Sequence, residues 1–468
     1  MREILEGHDP DSVALLDANQ GVELTYGQLR EKVAAAAGRL RAELGRGFVF
    51  HFATNTIESV VLYLACLDAA CPVCLLEPGP PGRFEPLLAA YAPDALLLPA
   101  GVESPHGMKT ELEMEGSSYR LAVSPGRRGH YAPHAELALL LTTSGSTGSP
   151  KLVRLTRNNV LANARSIVTY LGITSGERSM QSLPMHYSFG LSLINSHLLA
   201  GACVVLTAYS FLQPMFWEAF DRCRCSAFAG VPYMYETLHR LRFDPRRHPS
   251  LRIMTQAGGG LRPDLIQVFY EKSRAAGIRF FVMYGQTEAT ARIAYVPWEQ
   301  LGAKIGCIGI AIPHGRLWLE PVEDQEWQEL VYKGPNVMMG YAETAADLTA
   351  GDELGGVLHT GDLADVDSDG FFSIRGRLKR FAKLFGRRVN LEDIERDLER
   401  RYPLQAAVIE HGDGLRVRAA LRQDVNMDGV ALYLAQQLNV PPKFIVAETI
   451  DSIPLTPSGK KDYRALQV

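Results

Sequence analysis

The sequence lacks a strong excess of charge of either sign. Its 48 Lys and Arg residues nearly balance 52 Asp and Glu residues, which leaves a formal net charge of −4. A protein that binds nucleic acid through the phosphate backbone needs a basic surface, so this balance argues against that function. The seven cysteines are an odd number spread over 468 residues, which favours reduced thiols over a disulfide framework. We expect Cys71, Cys74, Cys223 and Cys225 to be buried thiols rather than zinc ligands.

Long hydrophobic runs, internal repeats and the common nucleotide-binding glycine motifs are also missing. The longest apolar stretch, residues 60–76, contains Asp68 and Pro72, so it predicts a helix, a turn and a strand rather than a membrane span. The first residues contain no signal-peptide core, and we therefore expect a soluble, cytoplasmic protein. Neither G-x-G-x-x-G nor a Walker Gly-Lys-Ser/Thr occurs, which leaves a Rossmann dinucleotide site without support.

Short apolar strands alternate with helices over most of the chain. Thr25 and Gln28 form a capping-box pattern before a helix that we expect to run to about Leu44. Strands are predicted at residues 48–52, 73–76, 95–98, 137–141, 202–206, 251–255 and 280–284. Such alternation is typical of a largely parallel sheet covered by helices, so the sequence predicts an α/β fold.

The pattern changes from about Glu323. Short strand-like segments, residues 330–332 and 371–374, alternate with Gly, Asp and Pro and predict a strand-rich subdomain. Residues 376–380 look like a polar connector, and residues 391–400 look like a helix. We expect a large N-terminal domain, residues 1–378, and a small mobile α+β domain, residues 379–468.

An apolar strand leads directly into a loop of small hydroxylated residues and glycines that ends at Lys151. Glycines allow backbone N–H groups to face inward, hydroxyls add donors, and the lysine adds a positive charge. A flexible linker is the alternative, but linkers rarely follow a buried strand immediately. The loop therefore predicts a polyphosphate site at Thr143, Ser144, Gly145, Ser146, Thr147, Gly148 and Lys151.

Three further polar turns also follow predicted strands. The first contains Tyr284, Gly285, Thr287 and Glu288, which offer a ring for stacking a base and oxygens for a Mg²⁺-phosphate unit. The second is Gly258, Gly259 and Gly260, where a flat ligand could approach the backbone closely. The third places Asp362 after a glycine, where its carboxylate could accept both hydroxyls of a ribose. Each turn alone is a weak signal.

The order of these motifs resembles the adenylate-forming superfamily of acyl-CoA synthetases, peptide-synthetase adenylation domains and luciferases. Residues 335–341, 376–386 and 454–460 are similar to further signatures of that superfamily. The resemblance covers most of the chain. It implies that ATP-Mg²⁺ and a carboxylic acid form an acyl-adenylate and pyrophosphate.

The resemblance also implies a role for each motif. The loop ending at Lys151 would hold the β- and γ-phosphates, Thr287 the α-phosphate and Glu288 the metal. The glycine run and Tyr284 would flank adenine, and Asp362 and Arg377 would hold the ribose. Lys460 would bridge the carboxylate and the α-phosphate, and Lys379 would be the hinge about which the small domain turns for the second half-reaction.

The residues from Pro184 to Gly190 resemble the acyl-pocket motif of CoA ligases. Amino-acid-activating relatives carry an aspartate there that pairs with the substrate ammonium, and no acid occurs in this stretch. Burying an unpaired ammonium is costly, which argues against an α-amino acid substrate. The predicted acid pocket consists of His186, Tyr187, Phe189, Val231 and Tyr235, a wall suited to an uncharged acyl group.

The sequence thus predicts an AMP-forming carboxylate ligase with coenzyme A as the favoured acceptor. Transfer to the phosphopantetheine thiol of a carrier protein, or to an amine, is the alternative. A catalytically silent nucleotide-binding protein and a metal-independent P-loop NTPase are the remaining hypotheses.

Overall fold

The computed structural model describes most of the chain. The described residues are 2–79, 84–104, 110–114, 117–124, 132–142, 151–323, 326–378, 380–384, 387–412, 414–438, 440–456, 461–463 and 465–466. The helices are α1 (Arg2–Leu5), α2 (Tyr26–Leu44), α3 (Ile57–Asp68), α4 (Glu85–Tyr91), α5 (Arg157–Leu171), α6 (Ser188–Leu199), α7 (Pro214–Arg222), α8 (Pro232–Arg240), α9 (Pro263–Ala275), α10 (Leu391–Arg401) and α11 (Met427–Leu438).

The strands lie between and after these helices. In chain order they are β1 (Val13–Asp17), β2 (Val22–Thr25), β3 (Val49–Phe52), β4 (Val73–Leu76), β5 (Ala95–Pro99), β6 (Thr110–Glu113), β7 (Tyr119–Val123), β8 (Leu137–Thr142), β9 (Leu152–Thr156), β10 (Arg178–Met180), β11 (Cys203–Leu206), β12 (Ala227–Gly230), β13 (Ile253–Gln256), β14 (Arg279–Tyr284), β15 (Ala294–Tyr295), β16 (Ile310–Ala311), β17 (Arg316–Glu320), β18 (Gln328–Lys333), β19 (Gly340–Ala342), β20 (Val357–Val366), β21 (Phe372–Arg377), β22 (Phe381–Leu384), β23 (Arg387–Asn390), β24 (Leu404–His411), β25 (Gly414–Leu421) and β26 (Ile445–Thr449).

Two large sheets form the first part of the fold. One has nine strands in the order β16-β15-β14-β13-β12-β10-β11-β1-β2, and the other has eight in the order β19-β9-β8-β4-β3-β5-β7-β6. The central strands of both sheets are parallel, whereas β2, β15 and β16 in one sheet and β6, β7, β9 and β19 in the other pair antiparallel. The α/β prediction with largely parallel sheets is confirmed, with antiparallel strands added at the edges.

Two helices are buried on nearly all sides. Every residue of α3 from Ser59 to Leu67 is buried, and the same holds for α6 from Ser188 to Leu198. A helix that is apolar around its whole circumference belongs in a protein interior, and these two contribute to the main apolar core together with strands of both sheets. The capping box predicted for Thr25 and Gln28 begins α2, which ends at Leu44 as expected.

The chain divides into two compact units. One comprises residues 1–317 and 332–358, and the other comprises residues 318–331 and 359–468. The second unit contains most of the four-stranded sheet β17-β18-β20-β21, the hairpin β22-β23, and the three-stranded sheet β24-β25-β26. The strand-rich segment thus groups with the C-terminal residues. The predicted domain boundary at Lys379, about which the small domain would turn, stays a prediction.

Two predictions about local structure have clear outcomes. Residues 376–380 are not simply a connector, because Gly376 and Arg377 are the last residues of β21 and pair with β20. The four cysteines expected to be buried thiols are free and buried. In the described part of the chain, no helix is both long and apolar enough to cross a membrane.

Candidate active site

Four neighbouring parallel strands of the nine-stranded sheet end at one edge. They are β10, β12, β13 and β14, and each pairs in parallel with the next. The segment 184–190, Val231, Gly258 and Tyr284 lie at or just after their carboxyl ends. Ligands of open α/β sheets bind at this edge, so the fold gathers four sequence-distant motifs where a site is expected.

The glycine run touches the predicted acid pocket. Gly258 has a φ of +87°, and a Cβ at this position would lie 2.6 Å from the Tyr187 hydroxyl and 3.1 Å from Val231 Cγ1. A Cβ at Gly259 would lie 3.2 Å from Pro232 Cγ, whereas a side chain at Gly260 would meet open space. The first glycine is therefore required both by its backbone conformation and by the close approach of Tyr187.

The chain after Tyr284 folds back on itself. A Cβ at Gly285 would lie 2.0 Å from the carbonyl oxygen of Ala291, so only glycine fits there. The amide of Ile293 donates to the carbonyl of Tyr284 at 2.9 Å, which closes the loop. Thr287 and Glu288 are carried on this loop, both half-buried.

A buried asparagine, Asn336, forms hydrogen bonds with the backbone of the same loop. The Asn336 amide donates to the carbonyl oxygens of Ala289, at 2.7 Å, and Arg292, at 2.9 Å. The hydroxyl of Tyr332 donates to Asn336 Oδ1 at 2.7 Å. Sequence reasoning placed Asn336 in a family signature and gave it no role. Its side chain satisfies two buried carbonyls that would otherwise lack partners.

Thr287 and Glu288 contact different parts of the first unit. The hydroxyls of Thr287 and Ser188 share a hydrogen bond of 3.3 Å, which links the loop to the acyl-pocket motif. The Tyr341 hydroxyl donates to Glu288 Oε1 at 2.7 Å. The Lys151 ammonium lies over the ring of that same tyrosine, 3.6 Å from its centroid. Burial raises the pKa of Tyr341, and the carboxylate of Glu288 adds to the shift.

The remaining predicted pocket residues differ in exposure. Phe189 is buried beside the half-buried Tyr187, with ring centroids 6.4 Å apart. His186 is half-buried. Tyr235 is completely buried, and its hydroxyl donates to the carbonyl of Thr255 at 2.9 Å, which is a core contact behind the strands. Its assignment to the pocket stays a prediction.

The predicted ribose ligands meet in the second unit. Asp362 and Arg377 are direct neighbours in the antiparallel pairing of β20 and β21, and the Arg377 Nε lies 2.8 Å from Asp362 Oδ1. The Asp362 side chain is 4% exposed, whereas that of Arg377 is 52% exposed. Asp362 lies within β20 rather than in the polar turn that the sequence predicted, and the Gly361 amide, at a φ of +71°, donates to Glu329 Oε1 at 3.0 Å.

Lys461 belongs to a buried ionic cluster in the second unit. Its ammonium donates to Glu395 at 3.0 Å, to Glu399 at 2.9 Å and to the carbonyl of Ala406 at 2.6 Å. The nearly buried Glu395 also accepts from Arg380. Lys461 is thus engaged in structural contacts.

Some predicted residues lie outside the described part of the chain. They are Lys379, Lys460 and the phosphate-loop residues Thr143, Ser144, Gly145, Ser146, Thr147 and Gly148. Their assigned roles stay predictions.

The described residues fit ATP with Mg²⁺. Within the described ranges, no group of three or more His, Cys, Asp or Glu side chains is arranged to hold a metal on its own. Mg²⁺ commonly binds proteins through one or two carboxylates plus substrate phosphates, and Glu288 with the Thr287 hydroxyl supplies such hard oxygen ligands. A side chain at Gly260 would meet open space, so a flat ligand could approach the backbone closely at the end of the glycine run.

Comparison with known proteins identifies the class. The family model for AMP-binding enzymes matches residues 6–342. The chain belongs to this family, within the adenylate-forming superfamily, and is an AMP-forming carboxylate ligase. Two relatives span nearly the whole chain. A probable CoA ligase from Humulus lupulus is 26% identical over 93% of this chain and 90% of the relative, and an oxalate–CoA ligase from Arabidopsis thaliana is 26% identical over 96% and 94%.

A feruloyl-CoA synthase from Amycolatopsis is 31% identical over 56% of this chain and 54% of the relative. Among solved structures, the o-succinylbenzoate coenzyme A synthetase of Bacillus subtilis in complex with AMP is similar with a TM-score of 0.80 at 23% identity. The match covers 100% of this chain and 97% of that one, and it confirms the predicted fold.

Proposed function

We propose that this protein activates a carboxylic acid other than an α-amino acid and transfers the acyl group to a thiol, with coenzyme A as the favoured acceptor. One observation carries the proposal. The glycine run, the acyl-pocket motif and the loop with Thr287 and Glu288 converge at the carboxyl edge of four parallel strands.

In the first step a carboxylate oxygen of the acid attacks the α-phosphorus of ATP, and the bond to pyrophosphate breaks. Such a reaction depends on alignment and on neutralisation of negative charge. We assign the α-phosphate to the Thr287 hydroxyl and the metal to Glu288. Bound Mg²⁺ would neutralise charge on the phosphate oxygens. Lys460 would supply the positive charge between carboxylate and α-phosphate.

In the second step the thiol loses its proton, its sulfur attacks the acyl carbon, and AMP departs with the oxygen that came from the acid. Two relatives favour coenzyme A as the thiol, because a probable CoA ligase and an oxalate–CoA ligase both match over most of their length. A carrier-protein phosphopantetheine is the second candidate. An amine acceptor is the third, and an amide bond synthetase from Marinactinospora thermotolerans shares the fold with a TM-score of 0.77.

The substrate preference rests on the pocket side chains. The segment 184–190 contains no acid, and Tyr187, Phe189 and Val231 provide aromatic and aliphatic surface. A substrate ammonium would find no carboxylate partner in that segment, and leaving it unpaired would cost several kcal/mol.

The proposal is tested by a screen of carboxylic acids for acid-dependent pyrophosphate release with ATP and Mg²⁺. The best acid is then offered with coenzyme A, a holo-carrier protein, simple amines and hydroxylamine in parallel. We expect a thioester with coenzyme A and a hydroxamate with hydroxylamine. ATP hydrolysis without any acid would instead indicate a P-loop NTPase, and no turnover with any acid would favour a silent nucleotide-binding protein.

A further inference from the structure

A buried arginine lies directly behind the predicted acid pocket. Arg292 follows the loop that carries Thr287 and Glu288, and its residue surface is only 1% exposed. Its guanidinium lies over the ring of Phe189, 4.0 Å from the centroid. Phe189 in turn neighbours Tyr187, whose hydroxyl reaches the glycine run at Gly258. The cation is therefore one aromatic layer away from the surface where we place the acid.

The charge of Arg292 has no acidic partner in the part of the chain that the structure describes. The guanidinium donates to the hydroxyl of Tyr170, and that hydroxyl donates to Met283 Sδ at 3.0 Å. Arg292 Nε is buried without a hydrogen-bond partner. Burial lowers the pKa of Arg292, whereas the nearby hydroxyls of Tyr170 and Tyr187 act in the opposite direction.

An uncompensated buried cation weakens a fold. Arg154, the other arginine that is buried among the described residues, contacts Glu353 at 2.7 Å, and the partly buried Arg380 contacts Glu395. Buried charges without a partner are costly, and residues that lower stability in this way are found mainly at functional sites. Arg292 is therefore an exception, and a ligand that carries a negative charge would supply its missing partner.

We propose that Arg292 determines the substrate class, by receiving an anionic group of the acyl substrate, such as a second carboxylate, remote from the carboxylate that is activated. This inference rests on the proposed function. A guanidinium can hold a carboxylate through two parallel hydrogen bonds, and its unpartnered Nε–H is one donor for such a pair. The sequence favoured an uncharged acyl group, because the pocket motif did not include Arg292. With Arg292 next to the pocket, we expect an acyl group that carries a second negative charge instead.

The test uses pairs of acids of equal length that differ at the far end only. One member is a dicarboxylic acid and the other ends in a methyl ester or a methyl group. Acid-dependent pyrophosphate release is measured for wild type, Arg292→Met, Arg292→Lys and Arg279→Met. Arg279 is a matched control because it lies at the first residue of β14, where its guanidinium donates to the carbonyl of Leu171 at 2.8 Å.

We expect wild type to prefer the diacid of the best pair by about 100-fold in kcat/KM, since a lost charged partner is worth roughly 3 kcal/mol. Arg292→Met should lose that preference while keeping activity on the neutral acid. Arg292→Lys should retain part of it, because lysine keeps the charge without the planar donor pair. Arg279→Met should behave as wild type.

A wild-type preference for the neutral member of every pair would overturn the inference, and so would an equal loss on both acids in Arg292→Met. Failure of all acids would instead count against the proposed function. Thermal unfolding without ligands gives a second readout. Arg292→Met should unfold at or above the wild-type temperature because an unpaired buried charge is removed. A large drop would identify Arg292 as structural and overturn the inference.

Discussion

The hydroxyl of Tyr341 donates a hydrogen bond to the carboxylate of Glu288, with 2.7 Å between the two oxygens. The ring of Tyr341 makes a second contact, because the Lys151 ammonium lies over it. One aromatic side chain thus touches the proposed metal ligand and the lysine that closes the proposed phosphate loop. Tyr341 is a positioning residue for both.

Tyr341→Phe removes the hydrogen bond to Glu288 and keeps the ring beneath Lys151. Groups that orient a metal ligand commonly contribute 10- to 100-fold to metal affinity, so the Mg²⁺ concentration for half-maximal pyrophosphate release should rise about 10-fold. The KM for ATP at saturating Mg²⁺ should change little. Tyr341→Leu also removes the ring and should raise both values.

A binding measurement separates this role from a loss of folding. Mn²⁺ bound together with a non-hydrolysable ATP analogue is followed by electron paramagnetic resonance. Tyr26→Phe is the control, because Tyr26 is also buried and its hydroxyl donates to Ala202 at 2.8 Å in the core. Equal Mn²⁺ affinity in wild type and Tyr341→Phe would refute the positioning role.

Asn336→Ala should destabilise the protein by about 3 kcal/mol, because two buried carbonyls and the hydroxyl of Tyr332 lose their partner. Urea unfolding measures this loss. The KM for ATP should also rise, since the freed loop carries Thr287 and Glu288. Asn19→Ala is a control, because the Asn19 side chain accepts from the amide of Ala208 at 2.9 Å next to β1, and it should leave the KM unchanged.

Lys460→Met and Lys461→Met should have opposite effects although the residues are adjacent. Lys460→Met should abolish acid-dependent pyrophosphate exchange without a change in stability, and it should spare acyl transfer from a supplied adenylate. Lys461→Met removes the cation shared by Glu395 and Glu399, leaves Arg380 as the partner of Glu395, and should lower the free energy of unfolding by about 3 kcal/mol. Equal stability of both variants would contradict the structural role of Lys461.

The contribution of Lys461 should also depend on pH. Burial alone would lower the pKa of Lys461, but Glu395 and Glu399 outweigh it and raise the pKa above its usual value. A raised pKa stabilises the fold below the unfolded value, about 10.4, and this stabilisation is lost as pH rises through the folded value. The difference in unfolding free energy between wild type and Lys461→Met should therefore stay constant from pH 7 to about 10. A decline already between pH 7 and 9 would contradict this assignment.

The sequence predicted the elements that depend on local pattern. The strands ending at Leu76 and Tyr284 and the capping box at Thr25 follow from apolar periodicity and a three-residue spacing, and all three are confirmed. Gly376 and Arg377 were wrongly assigned to a connector, because a glycine next to a charged residue lacks the apolar pattern of a strand, and pairing with β20 extends the strand through them.

The sequence could not reveal contacts that join distant parts of the chain. Arg292 resembles an ordinary surface arginine until Phe189, about a hundred residues earlier, is found beneath its guanidinium. Tyr341 is likewise an unassigned signature residue until its hydroxyl is seen on Glu288. Both roles depend on burial and on contacts with residues distant in the sequence. A local sequence pattern reports neither.

The central claim is that a carboxylate oxygen of the acid attacks the α-phosphorus of ATP. The most direct test uses a substrate acid labelled with ¹⁸O in its carboxylate, followed by mass spectrometry of the products after transfer to the thiol. Our account predicts one ¹⁸O atom in AMP and none in pyrophosphate. Unlabelled AMP, or label in inorganic phosphate, would contradict it.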